Sequence, residues 1–343
     1  LLTGCALHSD IPPDAAGSGL MGWLLTCLGQ EHGYPAPEGG AARLTDALVR
    51  RLEARGGRLR CSTEVERILL AGRTATGVRT AGGEEIGARK AVLADVGAPA
   101  LYLRLIGAEH LAPRLLRALD RFRYDPATVK VDWALDGPIP WAAKEARRAG
   151  TVHTGDGLDH LARAAGDLAG GRIPARPPLI IGQMTTTDPT RSPPGTETAW
   201  AYTHVPQQVR SDGGGTLTGR WDPSETEEFV ARMEAEIEGL APGFAGLVRG
   251  RHVFTPPAFE AADANLVGGA INGGTARLRQ QLVLRPVPGL GRAETPFARL
   301  FLASASAHPG GGVHGACGAN AAWAALAAAP RLRAGLARRL SGG

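Results

Sequence analysis

The residues most able to do chemistry lie together near the C-terminus, in His308-Pro309-Gly310-Gly311-Gly312-Val313-His314-Gly315-Ala316-Cys317-Gly318. Glycine lets a backbone approach a bulky ligand at points where a Cβ would collide. The apolar run Leu300-Phe301-Leu302-Ala303 leads into the stretch, and an Ala-rich run from Asn320 to Ala329 leaves it and stops at Pro330. The order reads as strand, glycine turn, helix. A helix start presents unpaired N–H groups and the positive end of its dipole, which suits an anionic or electron-accepting group. A turn that binds nothing needs one or two glycines; this span has five, framed by strand and helix. His308 and His314 are spaced as two metal ligands could be, but no third histidine or carboxylate accompanies them, so no metal is expected. His314 is a candidate acid or base, against the alternative of a structural hydrogen bond from its imidazole.

The elements that must position this turn are legible in outline. Ala41 to Arg55 carries Leu44, Ala47, Leu48 and Leu52 at helical spacing, and Gly56-Gly57 closes it. Strand-like segments are expected at 58–62 and 64–70, then at 78–80, 84–86 and 90–95, with glycines marking the turns between them. Thr128 to Leu135 alternates strictly and reads as a half-buried strand. Further strands are expected at 179–184, 198–204 and 252–255, and an amphipathic helix at 225–240. Trp133, Tyr202 and His204 could line a substrate cavity, although aromatics on alternating strands usually belong to a core. Leu20, Trp23, Leu24, Cys27 and Leu28 share a helical face. Gly17-Ser18-Gly19-Leu20-Met21-Gly22 matches G-x-G-x-x-G but follows Ile11-Pro12-Pro13-Asp14 rather than a strand, so it reads as a decoy. Gly268-Gly269 and Gly273-Gly274 bracket a second glycine-dense loop. No internal repeat is present.

Composition narrows the function. The chain has 343 residues, 43% of them hydrophobic, enough for two domains or one large one. The net charge of +5 comes mostly from scattered Arg, densest at Arg331, Arg333, Arg338 and Arg339. Aromatics make up only 5%, without the basic-aromatic stripe of a nucleic-acid binder. The charge does suit a weak attraction to an anionic membrane surface. Cys5, Cys27, Cys61 and Cys317 have no redox or metal spacing and read as buried free thiols in a reducing compartment, against disulfide reduction. No run reaches the ~18 apolar residues of a membrane span.

The His308–Gly318 stretch resembles the C-terminal flavin signature of the phytoene-dehydrogenase-like FAD oxidoreductases. That group includes carotenoid desaturases and the pyridine nucleotide-disulfide oxidoreductase domain-containing protein 2 type. The resemblance covers nearly the whole chain. Pro37-Glu38-Gly39-Gly40, the following helix, Gly56-Gly57 and Glu64-Val65-Glu66-Arg67-Ile68 are similar to the segment that meets the adenine end of FAD, with Val65 at the adenine contact. Val129 to Leu135, Asp188-Pro189-Thr190-Arg191, Ala241 to Phe244 and Asn265 to Gly269 look like landmarks of the substrate domain. The resemblance implies FAD as cofactor, held by Val65, Ser304, Ala305, His308, Pro309, Gly310, Gly311, Gly312, Val313 and Gly315. Two departures stand out. Relatives open with strand, G-x-G-x-x-G and helix, which nothing here supplies, so a segment of up to about 150 residues is expected before Leu1. Relatives also commonly carry Gly where this chain has Ser306, which puts the closeness of fit in doubt.

The implied fold is mixed α/β, the C-terminal portion of a two-domain flavoprotein. A partial Rossmann-like FAD domain (37–98 and 285–330) would hold an inserted substrate domain with a mixed or antiparallel sheet (99–284). Substrate-domain helices would precede them (1–36) and a tail would follow (331–343). The implied activity is hydride transfer from an apolar, lipophilic substrate to FAD, with the flavin carrying the chemistry. The alternatives are a flavin-dependent isomerase without net redox and a non-catalytic scaffold descended from such enzymes. A cytoplasmic or membrane-peripheral protein is expected, with no nucleic-acid partner.

Overall fold

The computed structural model describes residues 2–31 and 33–328. The calls on Pro330, on the basic cluster Arg331–Arg339 and on the 331–343 tail lie outside them. The chain opens with helices α1 (Leu2–His8), α2 (Ser18–Glu31) and α3 (Ala42–Glu53). The meander β1 (Val65–Ala71), β2 (Thr74–Thr80) and β3 (Glu85–Gly87) follows, then β4 (Val92–Ala94). A π-helical segment, Ala100–Gly107, leads to α4 (Pro113–Asp120). Next come β5 (Ala127–Leu135), β6 (Thr151–His153), α5 (Leu158–Gly170), β7 (Arg172–Ile173), β8 (Ile180–Gln183) and the single turn α6 (Met184–Thr187). The chain continues through β9 (Glu197–Val205), β10 (Ser211–Asp212), α7 (Pro223–Leu240), β11 (Val248–Phe254) and α8 (Pro256–Ala262). It finishes with β12 (Leu300–Leu302) and α9 (Ala316–Ala328).

Two compact units share these elements. The first takes the residues up to Leu59 together with Pro126–Ala270. Its centre is a five-stranded antiparallel sheet in the order β11-β5-β9-β8-β6. Along β5 and β9 every second side chain is buried, as a strand with one face on a core requires. Val129, Val131, Trp133 and Leu135 of β5 join Ala199, Ala201 and Val205 of β9 there. The helix α7 lays Phe229, Val230, Met233 and Ile237 into the same core. Asp222 caps α7 by accepting from the Glu225 N–H at 3.0 Å, and Pro223 takes the first turn, where no N–H is needed.

The second unit takes Arg60–Asp125 and the described residues from Ile271 onward. It holds the antiparallel β1-β2-β3 meander and the parallel pair β4-β12. Its core joins Ile68 and Ala75 to Leu101, Tyr102, Leu105 and Ile106, and to Leu300 and Leu302 of β12.

Several expectations need amendment. Residues 58–62 form no strand, and β4 is shorter than the expected 90–95. The helical face of α2 is largely exposed, and Leu44, Leu48 and Leu52 of α3 are 45%, 69% and 44% exposed. Helical periodicity made those helices, and among the described residues their apolar faces are only partly covered. The thiols are free as expected, yet only Cys317 is buried and Cys61 is exposed. The packing division falls after Leu59, Asp125 and Ala270, whereas the expected segments divide after 36, 98 and 284. The stretch before α3 goes with the first unit because the Gly39 N–H donates to Asp188 Oδ2 at 2.7 Å. No helix among the described residues is long and apolar enough to cross a membrane.

Candidate functional site

The His308–Gly315 stretch links β12 to α9 and lies within the second unit. Gly310, Gly312 and Gly315 have φ of 110°, 139° and 63°, a region that favours glycine. Among the described residues, no N–H from Gly310 to Gly315 donates a hydrogen bond. Residues 311–314 are exposed, and Val313 is 94% exposed. A row of unspent donors therefore precedes the N-terminus of a helix of 13 residues, where the dipole adds positive potential. His308 Nδ1 is buried and has no hydrogen-bond partner among the described residues. His314 Nδ1 accepts from the Ala316 N–H at 2.9 Å, so its ring caps α9. That is a structural hydrogen bond in which the ring accepts rather than donates.

Some of the glycines answer to the protein's own packing. A Cβ on Gly311 would collide with Asn272 Oδ1, and one on Gly310 would stand 3.2 Å from the Arg285 guanidinium carbon. The run of glycines thus reflects both an exposed donor surface and tight support beneath it. Cys317 contributes to that support, with its Sγ donating to the carbonyls of Ala307 and Gly310 at 3.4 and 3.3 Å.

The support was not legible in the motif. Arg285 is 1% exposed, and its guanidinium donates to Ala305 O (2.9 and 2.6 Å), Thr275 O (2.9 Å) and Asn272 O (2.8 Å). Burial lowers its pKa from the ordinary value, and the nearby Asp125 carboxylate acts against that. Asp125 is also buried and accepts from the Ala276 N–H at 2.9 Å. Together they fasten the loop around Gly273-Gly274 to the backbone at Ala305. A signal existed in the sequence, because that loop is the second glycine-dense one. Gly273 has φ 62°, and a Cβ there would stand 3.0 Å from the Ala305 Cβ.

Ser304 and Ser306 do comparable work. Ser304 Oγ donates to Val96 O at 2.7 Å. Ser306 is fully buried; its hydroxyl donates to Gly273 O at 2.5 Å and accepts from the Ala98 N–H at 3.0 Å. The Ser306 side chain is thus directed into the protein.

Val65 opens β1 opposite Thr80 and is partly exposed. Beside it is a polar cleft lined by Arg60, Ser62, Thr63, Glu64, Thr80 and Glu84. In the first unit, Trp133 is core, with Nε1 donating to Glu234 at 2.9 Å, whereas Tyr202 and His204 line an apolar cleft.

Comparison with known proteins places this arrangement in two steps. Solved structures give the fold. An oxidoreductase from Methanosarcina mazei matches 85% of the chain and 55% of its own, at TM-score 0.53 and 17% identity. Putrescine oxidase bound to putrescine matches 84% and 53%, at TM-score 0.54 and 16% identity. The fold is that of such oxidoreductases. Curated relatives are more specific. The mouse pyridine nucleotide-disulfide oxidoreductase domain-containing protein 2 is 28% identical over 336 residues, 94% of this chain and 56% of that protein. The neurosporene-forming phytoene desaturase of Cereibacter sphaeroides is 30% identical over 318 residues, 90% of this chain and 57% of the desaturase. This chain is a relative of the phytoene-dehydrogenase-like FAD-dependent oxidoreductases. It spans a little over half the length of the curated relatives it matches. No family model matches it.

Proposed function

We propose that the chain carries the flavin-facing turn and the substrate-binding part of an FAD-dependent dehydrogenase or desaturase acting on an apolar organic compound. The observation that carries this reading is the exposed row of N–H donors from Gly311 to Gly315, set before α9 and braced by Arg285 and Ser306. A turn with that surface fits a flat, electron-accepting ring. FAD, when bound, would accept a hydride from the substrate.

The protein's own groups would then act as a holder. The N–H groups of Gly311 to Gly315 and the positive end of α9 would stabilise negative charge set against them, an effect of up to ~2 kcal/mol at a helix terminus. Val65 would meet the adenine end, and His308 Nδ1 would offer a further polar contact. His314, whose Nδ1 is committed to capping α9, would hold the helix start in place. The substrate class follows from the relatives that are named as phytoene desaturases.

The test is the visible spectrum of the protein expressed from its complete natural coding sequence. A flavin absorbance that co-purifies, or that is restored by FAD, is the expected result; a colourless protein that FAD cannot restore refutes the reading. Gly312→Val is expected to weaken FAD binding about tenfold or more with far-UV dichroism unchanged, because a branched side chain cannot adopt φ 139° without strain.

A further inference from the structure

The first unit has a cleft that the flavin reading does not use. It is an open cleft between α1, α5 and the β6–β8–β9 side of the sheet. Leu7, Leu161, Ala164, Leu168, Pro174 and Leu179 give it apolar walls. Its polar lining comes from His153, Thr154, Tyr202, Thr203 and His204.

Each threonine hydroxyl is engaged with backbone through one of its hydrogen-bonding sites. Thr154 Oγ1 accepts from the Leu179 N–H at 2.8 Å, and Thr203 Oγ1 donates to Pro178 O at 2.7 Å. The rest form one cluster of titratable groups. His8 Nδ1 lies 3.0 Å from His153 Nε2, and the two rings stack at 5.1 Å. His204 Nε2 lies 2.6 Å from Asp10 Oδ1, a carboxylate whose side chain is 3% exposed. Tyr202 stands beside His204 and His8, its ring stacked on Trp200 at 5.9 Å. Its hydroxyl makes no hydrogen bond among the described residues.

Charge decides what such a cluster accepts. Burial and His8 lower the His153 pKa to about 4, and burial lowers that of His8. Burial and Asp10 raise that of Tyr202. Near pH 7 the imidazole pair and the phenol are therefore uncharged, and the carboxylate of Asp10 faces His204. A carboxylate head would meet the carboxylate of Asp10. An uncharged hydroxyl would meet a free phenol donor and a neutral imidazole.

We infer that this cleft binds an aliphatic alcohol, with its chain against Leu161, Ala164 and Leu168 and its hydroxyl hydrogen-bonded at Tyr202 and His153. The site lies entirely within the first unit and does not depend on a bound flavin. Calorimetric titration of octan-1-ol and of octanoate at pH 7, with and without added FAD, tests it. Saturable octan-1-ol binding, tighter than octanoate and indifferent to FAD, is expected. Tyr202→Phe is expected to weaken octan-1-ol about tenfold, the loss of one hydrogen bond in an apolar site. Ala164→Phe, which fills the cleft, should abolish binding. Absence of saturable binding to the unaltered protein overturns the inference. So does tighter binding of octanoate, or an affinity that Tyr202→Phe leaves unchanged.

Discussion

Ser306 shows how one side chain fixes a site that it does not face. Its hydroxyl joins the carbonyl of Gly273 to the amide of Ala98, with no exposed surface. A glycine at this place would lack both bonds. Ser306→Gly should therefore destabilise the protein by about 1–3 kcal/mol rather than improve its fit, because it leaves two buried backbone groups unmet. The denaturation midpoint in urea measures this; an unchanged or higher midpoint would show the hydroxyl to be dispensable. Arg285 acts on the same loop by a different means. Its charge is spread over three backbone carbonyls, so it works as a rigid multi-donor clamp that a lysine could not reproduce.

At the scale of elements, α7 carries the clearest dependence on pH. Burial alone would raise the Glu225 pKa. Hydrogen bonds from the Thr218 hydroxyl and from the N–H groups of Thr218, Trp221 and Gly219 overcome that and hold it at about 2. A folded pKa below the unfolded value near 4.5 gives stability that is complete above pH 4.5 and is lost as pH falls toward 2. Thermal melts of the wild type and of Glu225→Gln should differ most at pH 7 and converge near pH 2. Parallel curves across that range would contradict the assignment. The same carboxylate ties the 218–221 loop to the start of α7, and α7 supplies four side chains to the core beneath β5 and β9.

For the whole molecule, the open question is the net reaction. If the complete protein oxidises its substrate, then anaerobically and without an acceptor, conversion should stop after one equivalent per flavin. Product analysis under those conditions measures this; conversion that continues would identify an isomerase instead. One of the chain's two cores supports the glycine turn and the other a sheet flanked by an apolar-walled cleft.

The sequence alone settled the elements whose patterning is local. The alternation in β5, the apolar spacing in α7 and the strand–turn–helix around His308–Gly318 all form where their residues indicate. The decoy Gly17–Gly22 does fall at the start of a helix with no strand before it. The glycine turn was legible because glycines and histidines at fixed spacing are a one-dimensional signal. Only the tertiary structure revealed that Arg285, Asp125 and Ser306 brace it, since these residues lie far apart in the chain and look ordinary singly. It also decided that the faces of α2 and α3 stay exposed, and that Tyr202 and His204 line a cleft while Trp133 is core. Periodicity says which side of an element is apolar; what covers that side depends on distant chain, which no local pattern encodes.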